Sequence, residues 1–183
     1  MSTNTAEAYG FKSITEDTLL TPDPVCEAFV TLDVSGQLSA IRGTDWLHRI
    51  QRPTLGQHVP IEVRRLYEVA RGTAAYGYYF YPIFTVAAEQ LTRVGEAAIY
   101  IRSTPLISNG DRLSFAERIT LLRREKIIDR ATCERWHWLR ELRNLSSHPI
   151  DQTIIAPGDF LALLNNLSVY INTLFAETEA TAQ

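Results

Sequence analysis

The sequence predicts an all-α fold: an up-and-down bundle of about five helices from Val59 onward, preceded by an extension of ambiguous structure. Three observations carry this prediction. Apolar residues make up 45% of the 183, enough to fill the core of one domain. From Val59 to Phe175 apolar positions recur at steps of three and four, the spacing of one face of a helix. Turn-forming and helix-stopping residues divide that stretch into segments of ordinary helix length, at Pro105-Leu106-Ile107-Ser108-Asn109-Gly110, at Pro149 and at Pro157-Gly158.

Residues 1–58 read as an N-terminal extension. Met1 to Asp23 has the composition of a frayed end. Val25-Cys26-Glu27-Ala28-Phe29-Val30 is compatible with helix or strand, and Ser35-Gly36 interrupts it. A short helix from about Thr44 to Gln51, capped by Thr44 or Asp45, would end at Pro53. Residues 59–176 form the predicted bundle. Pro60 suits a first helical turn, and the helix it opens runs to Gly72. The next spans about Tyr78 to Arg102, with Phe80, Phe84, Ala87, Leu91, Val94 and Ala98 as one apolar stripe and Pro82 in its first turns. Ala87, Ala88, Gly95, Ala97 and Ala98 would let a neighbouring helix come close. Ser114 with Glu117 reads as a capping box that opens a helix to about Glu125. Asp129 or Thr132 caps a fourth helix, which Pro149 stops near Ser147. Pro157-Gly158-Asp159 introduces the last, where Phe160, Leu163, Leu164, Leu167, Tyr170, Ile171 and Leu174 share a face. Residues 177–183 read as a frayed C-terminus.

Charge narrows the function classes. A formal net charge of -3 excludes a strongly basic protein that coats nucleic acid, so any such contact needs a local patch. Of the 18 basic residues only Lys12 and Lys126 are lysines. The rest are arginines, the better planar partners for phosphate and carboxylate. Cys26 and Cys133 belong to no ligand cluster, which leaves no zinc site and no disulfide framework. No cofactor or metal is expected. Glu89, Arg93 and Glu96 interrupt the apolar run from Ala74 to Ala88 before the roughly 20 residues that would cross a bilayer. No signal peptide stands at the N-terminus, so the expected compartment is the cytoplasm.

The fourth helix of the bundle carries the chemistry. On a wheel of about 100° per residue, Trp138, Leu139, Leu142 and Leu145 occupy one face and are assigned to the core. Trp136, His137, Arg140, Arg143, Asn144, Ser147 and His148 gather on the other. That second face offers phosphate donors in Arg140, Arg143 and Asn144, a group titrating near neutrality in His148, and an aromatic in Trp136 for contact or base stacking. Pro149 pushes His148 out of the α region, where its ring can turn towards Arg143.

Arg143-Asn144, three further residues and His148 resemble the R-x(4–6)-H signature of the HEPN superfamily (higher eukaryotes and prokaryotes nucleotide-binding), whose first intervening position is typically polar. Leu142 to Pro149 reads like the end of the motif helix in small bacterial members. Val63 to Gly72, Tyr76 to Pro82 and Ala88 to Leu91 resemble their preceding helix pair. The resemblance spans roughly Val59 to Phe175 and leaves out Met1 to His58. It implies a helical bundle that dimerises through the motif helix. In catalytic relatives the paired motifs form a metal-independent endoribonuclease site of toxin or phage-defence type. Carried over, His148 is the general acid/base, Arg143 orients and neutralises the scissile phosphate, and Asn144 positions either group. The implied partners are a second copy, single-stranded RNA and an antitoxin or other regulatory protein.

The same residues have plainer uses. His148 can hydrogen-bond the last carbonyls of its helix. Arg143 can pair with Glu89 or Glu96 on the long helix. Arg140, Trp136 and Ser147 are secondary candidates for binding substrate, and Glu89, Arg93 and Glu96 for supporting the site. His137 is expected at a surface or interface, while His48 and His58 have no assigned role. A non-catalytic helical dimer module that binds a protein or nucleotide is the alternative function, favoured by the lack of a continuous basic groove.

Overall fold

A computed structural model describes residues 10–32, 35–107, 112–146 and 154–176. Among them the chain forms seven α-helices and one small hairpin. The extension contributes α1 (Pro24–Glu27), β1 (Val30–Leu32), β2 (Leu38–Ala40) and α2 (Gly43–Gln51). The bundle contributes α3 (Ile61–Ala75), α4 (Ile83–Ser103), α5 (Phe115–Arg124), α6 (Arg130–Ser146) and α7 (Pro157–Phe175). The five bundle helices are those expected from the periodicity. The ambiguous stretch after Asp23 divides into a helical turn and a strand; β1 and β2 pair antiparallel with Thr31 opposite Ser39.

Local chemistry sets the boundaries. The Ser114 side chain accepts from the Glu117 N–H, and Glu117 Oε2 accepts from the Ser114 N–H at 2.7 Å, which is the expected capping box. The Ser114 hydroxyl also donates to Glu117 Oε2 at 2.7 Å, and this bond together with that from the Ser114 N–H holds the Glu117 carboxyl below its ordinary range. Asp129 caps α6 by accepting from the Thr132 N–H at 2.7 Å. The long helix begins at Ile83 and not near Tyr78, because Tyr76–Tyr78 forms a 3-10 turn and Pro82 precedes the first helical residue. The Tyr81 N–H is taken by buried Asp23 Oδ2 at 2.7 Å instead of by a helical carbonyl.

The core surrounds α4, which packs against α3, α5, α6 and α7. Its predicted stripe is broader than the sequence suggested: Thr85, Ala88, Thr92, Gly95 and Ile99 are buried along with Phe84, Ala87, Leu91, Val94 and Ala98. A helix walled on several sides has no solvent face wide enough for a simple amphipathic pattern. Gly95 shows how close the packing is, since a Cβ there would overlap Leu139 Cδ2 of α6. No described helix is long and apolar enough to cross a membrane.

Candidate functional site

Helix α6 runs from the Asp129 cap to Ser146, and its buried arc is centred on Trp136. Cys133, Trp136 and Leu139 are buried, whereas Trp138 is 56% exposed. This reverses the expected roles of the two tryptophans. Relative to Trp136, Cys133 lies about 60° to one side and Leu139 about 60° to the other, so including Cys133 shifts the apolar arc onto Trp136 and leaves Trp138 outside it. Trp136 therefore serves the core, packing its ring 6.2 Å from that of Tyr170, and is not available to stack on a substrate.

The arginines lie within the same arc, towards the C-terminal end of the helix: Arg140 is about 40° and Arg143 about 20° from Trp136 on the wheel. Arg140 is half-buried, with Nη2 3.5 Å from Glu141 Oε1 and its Nε enclosed without a hydrogen-bond partner among the described residues. Arg143, one turn further along, is exposed and reaches α4: its Nη2 is 3.6 Å from Glu96 Oε2. Its Nη1 donates to the Asn144 side-chain oxygen at 3.4 Å. Arg143, Asn144 and Glu96 are thus brought together. Glu89 lies two turns earlier on α4 and is half-buried, Arg93 is exposed, and neither forms an ion pair among the described residues. Ser147 and His148 lie outside the described residues.

The Arg143–Glu96 distance exceeds the roughly 2.7–2.9 Å of a tight charge-assisted hydrogen bond, and both partners are partly solvated. A phosphate brought to this corner can compete for the guanidinium, with the Asn144 amide alongside as a further donor. His137 is half-buried near the middle of α6; burial, aided by Arg140, lowers its pKa below the ordinary histidine value, against an opposing pull from Glu141. The tyrosine cluster serves packing: Tyr78 meets Tyr79 edge-on, and Tyr81 lies against Phe29 and Phe84.

One feature was missed in the sequence. Where α6 meets α7, Arg135, Trp138, Asn166 and Tyr170 surround a groove of about 250 Å³. The signal that could have found it was the position of Cys133, which places Trp138 on the α6 surface. No group of three or more His, Cys, Asp or Glu side chains among the described residues is placed to hold a metal ion. Compared with models of known families, with curated proteins and with solved structures, the chain matches none.

Proposed function

We propose that the chain is a metal-independent endoribonuclease of HEPN type, acting on single-stranded RNA as a homodimer in a toxin or phage-defence setting. The observation supporting this most directly is the exposure of Arg143 and Asn144 side by side on the last turn of α6, within an arginine-polar-x3-histidine sequence. In this reading Arg143 neutralises the phosphate, His148 moves the proton, and the RNA 2′-hydroxyl is the nucleophile. Glu96 holds the guanidinium until the phosphate displaces it. The products are a 2′,3′-cyclic phosphate and a 5′-hydroxyl end.

The test is cleavage of single-stranded RNA by purified protein in EDTA. Wild type should cut RNA and leave DNA intact, and His148→Ala should lose about a hundredfold or more in rate. Arg143→Lys should also lose activity, because an ammonium cannot reproduce the two-pronged grip of a guanidinium. Its stability should stay within about 1 kcal/mol of wild type, as expected for a half-exposed pair. An undiminished His148→Ala rate, or a strictly monomeric protein in light scattering, would refute the composite site. The Arg143–Glu96 pair itself favours a second reading, a non-catalytic module in which Arg143 ties α6 to α4. Absence of RNA cleavage by a purified dimer would select it.

A further inference from the structure

We infer that the groove between α6 and α7 binds a nucleobase carried on a phosphate, with Trp138 as the stacking surface. A tryptophan 56% exposed beside an apolar hollow leaves a large ring face in water. The floor of the hollow is apolar and buried, formed by Leu139, Leu163 and Leu167. At about 250 Å³ it lies just below the roughly 300–1,000 Å³ of sites for drug-sized ligands. That is room for one flat ring system, and too little for a helix or a folded segment.

Polar groups at the rim narrow the ligand. The exposed Asn166 side chain makes no hydrogen bond to the described residues, and its amide offers a donor and an acceptor together, the pattern found on a base edge. Arg135 lies over the Tyr170 ring, its Cζ 5.4 Å from the centroid, which holds the cation at the groove wall. Among the described residues no carboxylate lines the groove. On α6 itself Glu134 pairs with Arg130 and Glu141 with Arg140. Asp129 at the helix cap lies within electrostatic reach of Arg135, but its carboxylate accepts from the Thr132 N–H and makes no ion pair with Arg135 among the described residues. Stacking face, amide edge and a cation held in no ion pair among the described residues together suit a base with its phosphate better than a neutral aromatic or a cationic ligand. The groove opens on a different flank of α6 from Arg143, so binding there is independent of either reading of that arginine.

Tryptophan fluorescence provides the experiment, because Trp46 and Trp136 are buried and Trp138 alone of the three is exposed. Full-length protein is titrated with AMP and, separately, with a short oligoadenylate. Saturable quenching by both supports a site for free nucleotide, and quenching by the oligomer alone supports a strand subsite. Absence of quenching by either overturns the inference. Calorimetric titration of Trp138→Ala should then show binding weakened at least about fivefold, with Trp138→Phe retaining most of it. Asn166→Leu should weaken binding without lowering the melting temperature. Unchanged affinity in Trp138→Ala would sink the proposal even if RNA is cleaved. Binding that persists in His148→Ala leaves it standing even if cleavage fails.

Discussion

Trp136 and Trp138 are two positions apart on α6, and their opposite environments predict opposite consequences of truncation. Trp136 is fully buried against Tyr170, so Trp136→Ala should cost about 3–5 kcal/mol in urea denaturation. Trp138→Ala should stay within about 0.5 kcal/mol of wild type. Equal losses would mean that the buried arc of α6 is centred elsewhere. His137 gives a pH test. Its folded-state pKa is depressed, so as pH falls through about 6.5 the unfolded chain takes up a proton that the folded chain resists. Stability is therefore lost as pH falls and levels off only below the folded-state pKa. His137→Asn should lose less stability than wild type between about pH 7 and about pH 5.5. That window lies above the range in which Glu117 and Asp129 take up protons, since hydrogen bonds from Ser114 and Thr132 respectively hold both carboxyls low.

Among the elements, the turn joining α5 to α6 contains a local conflict. The Ile127 N–H bonds the Leu122 carbonyl at 2.9 Å and the Lys126 N–H bonds that of Arg123 at 3.0 Å. This helix-ending pattern puts the residue just past the helix cap in the left-handed region, where glycine is usual. Lys126 occupies that position with φ 58. Lys126→Gly should accordingly stabilise the fold by about 0.5–1 kcal/mol, the relief of left-handed strain outweighing glycine's added chain entropy. A thermal melt raised by a few degrees would show it; a lower melting temperature would mean that the lysine side chain contributes more than its backbone costs. The capping box at Ser114, the Asp129 cap and the end of α2 before Pro53 were legible in the sequence because each acts within a few residues of itself. The start of α4 was not, because a distant residue, Asp23, claims the Tyr81 N–H.

For the whole molecule, the extension and the bundle share one core. Cys26, Ile41, Trp46 and Ile50 belong to the same buried cluster as the bundle helices, with the Trp46 ring 5.2 Å from that of Phe84. Asp23 accepts from the Val25 and Tyr81 N–H groups, and Lys12 Nζ donates to the Tyr79 carbonyl at 2.8 Å. Arg71 of α3 reaches back to the Ile50 and Gln51 carbonyls at the end of α2. Removing residues 1–58 should therefore expose apolar core surface and abolish cooperative unfolding. A truncated chain that melts cooperatively at the wild-type temperature would show that the bundle stands alone.

The sequence by itself determined that five helices follow Val59, roughly where each begins and ends, and which polar residues gather near the end of α6. Those properties depend on spacing and on caps a few residues away, so one chain read in order contains them. Tertiary structure decided which flank of α6 is buried, that Arg143 meets Glu96 and not Glu89, and that a groove opens beside Trp138. With a tryptophan on each side, periodicity along α6 admits more than one apolar arc. The choice is fixed by what α4 and α7 present to it: Gly95 receives Leu139, Tyr170 receives Trp136, and Trp138 is left at the surface.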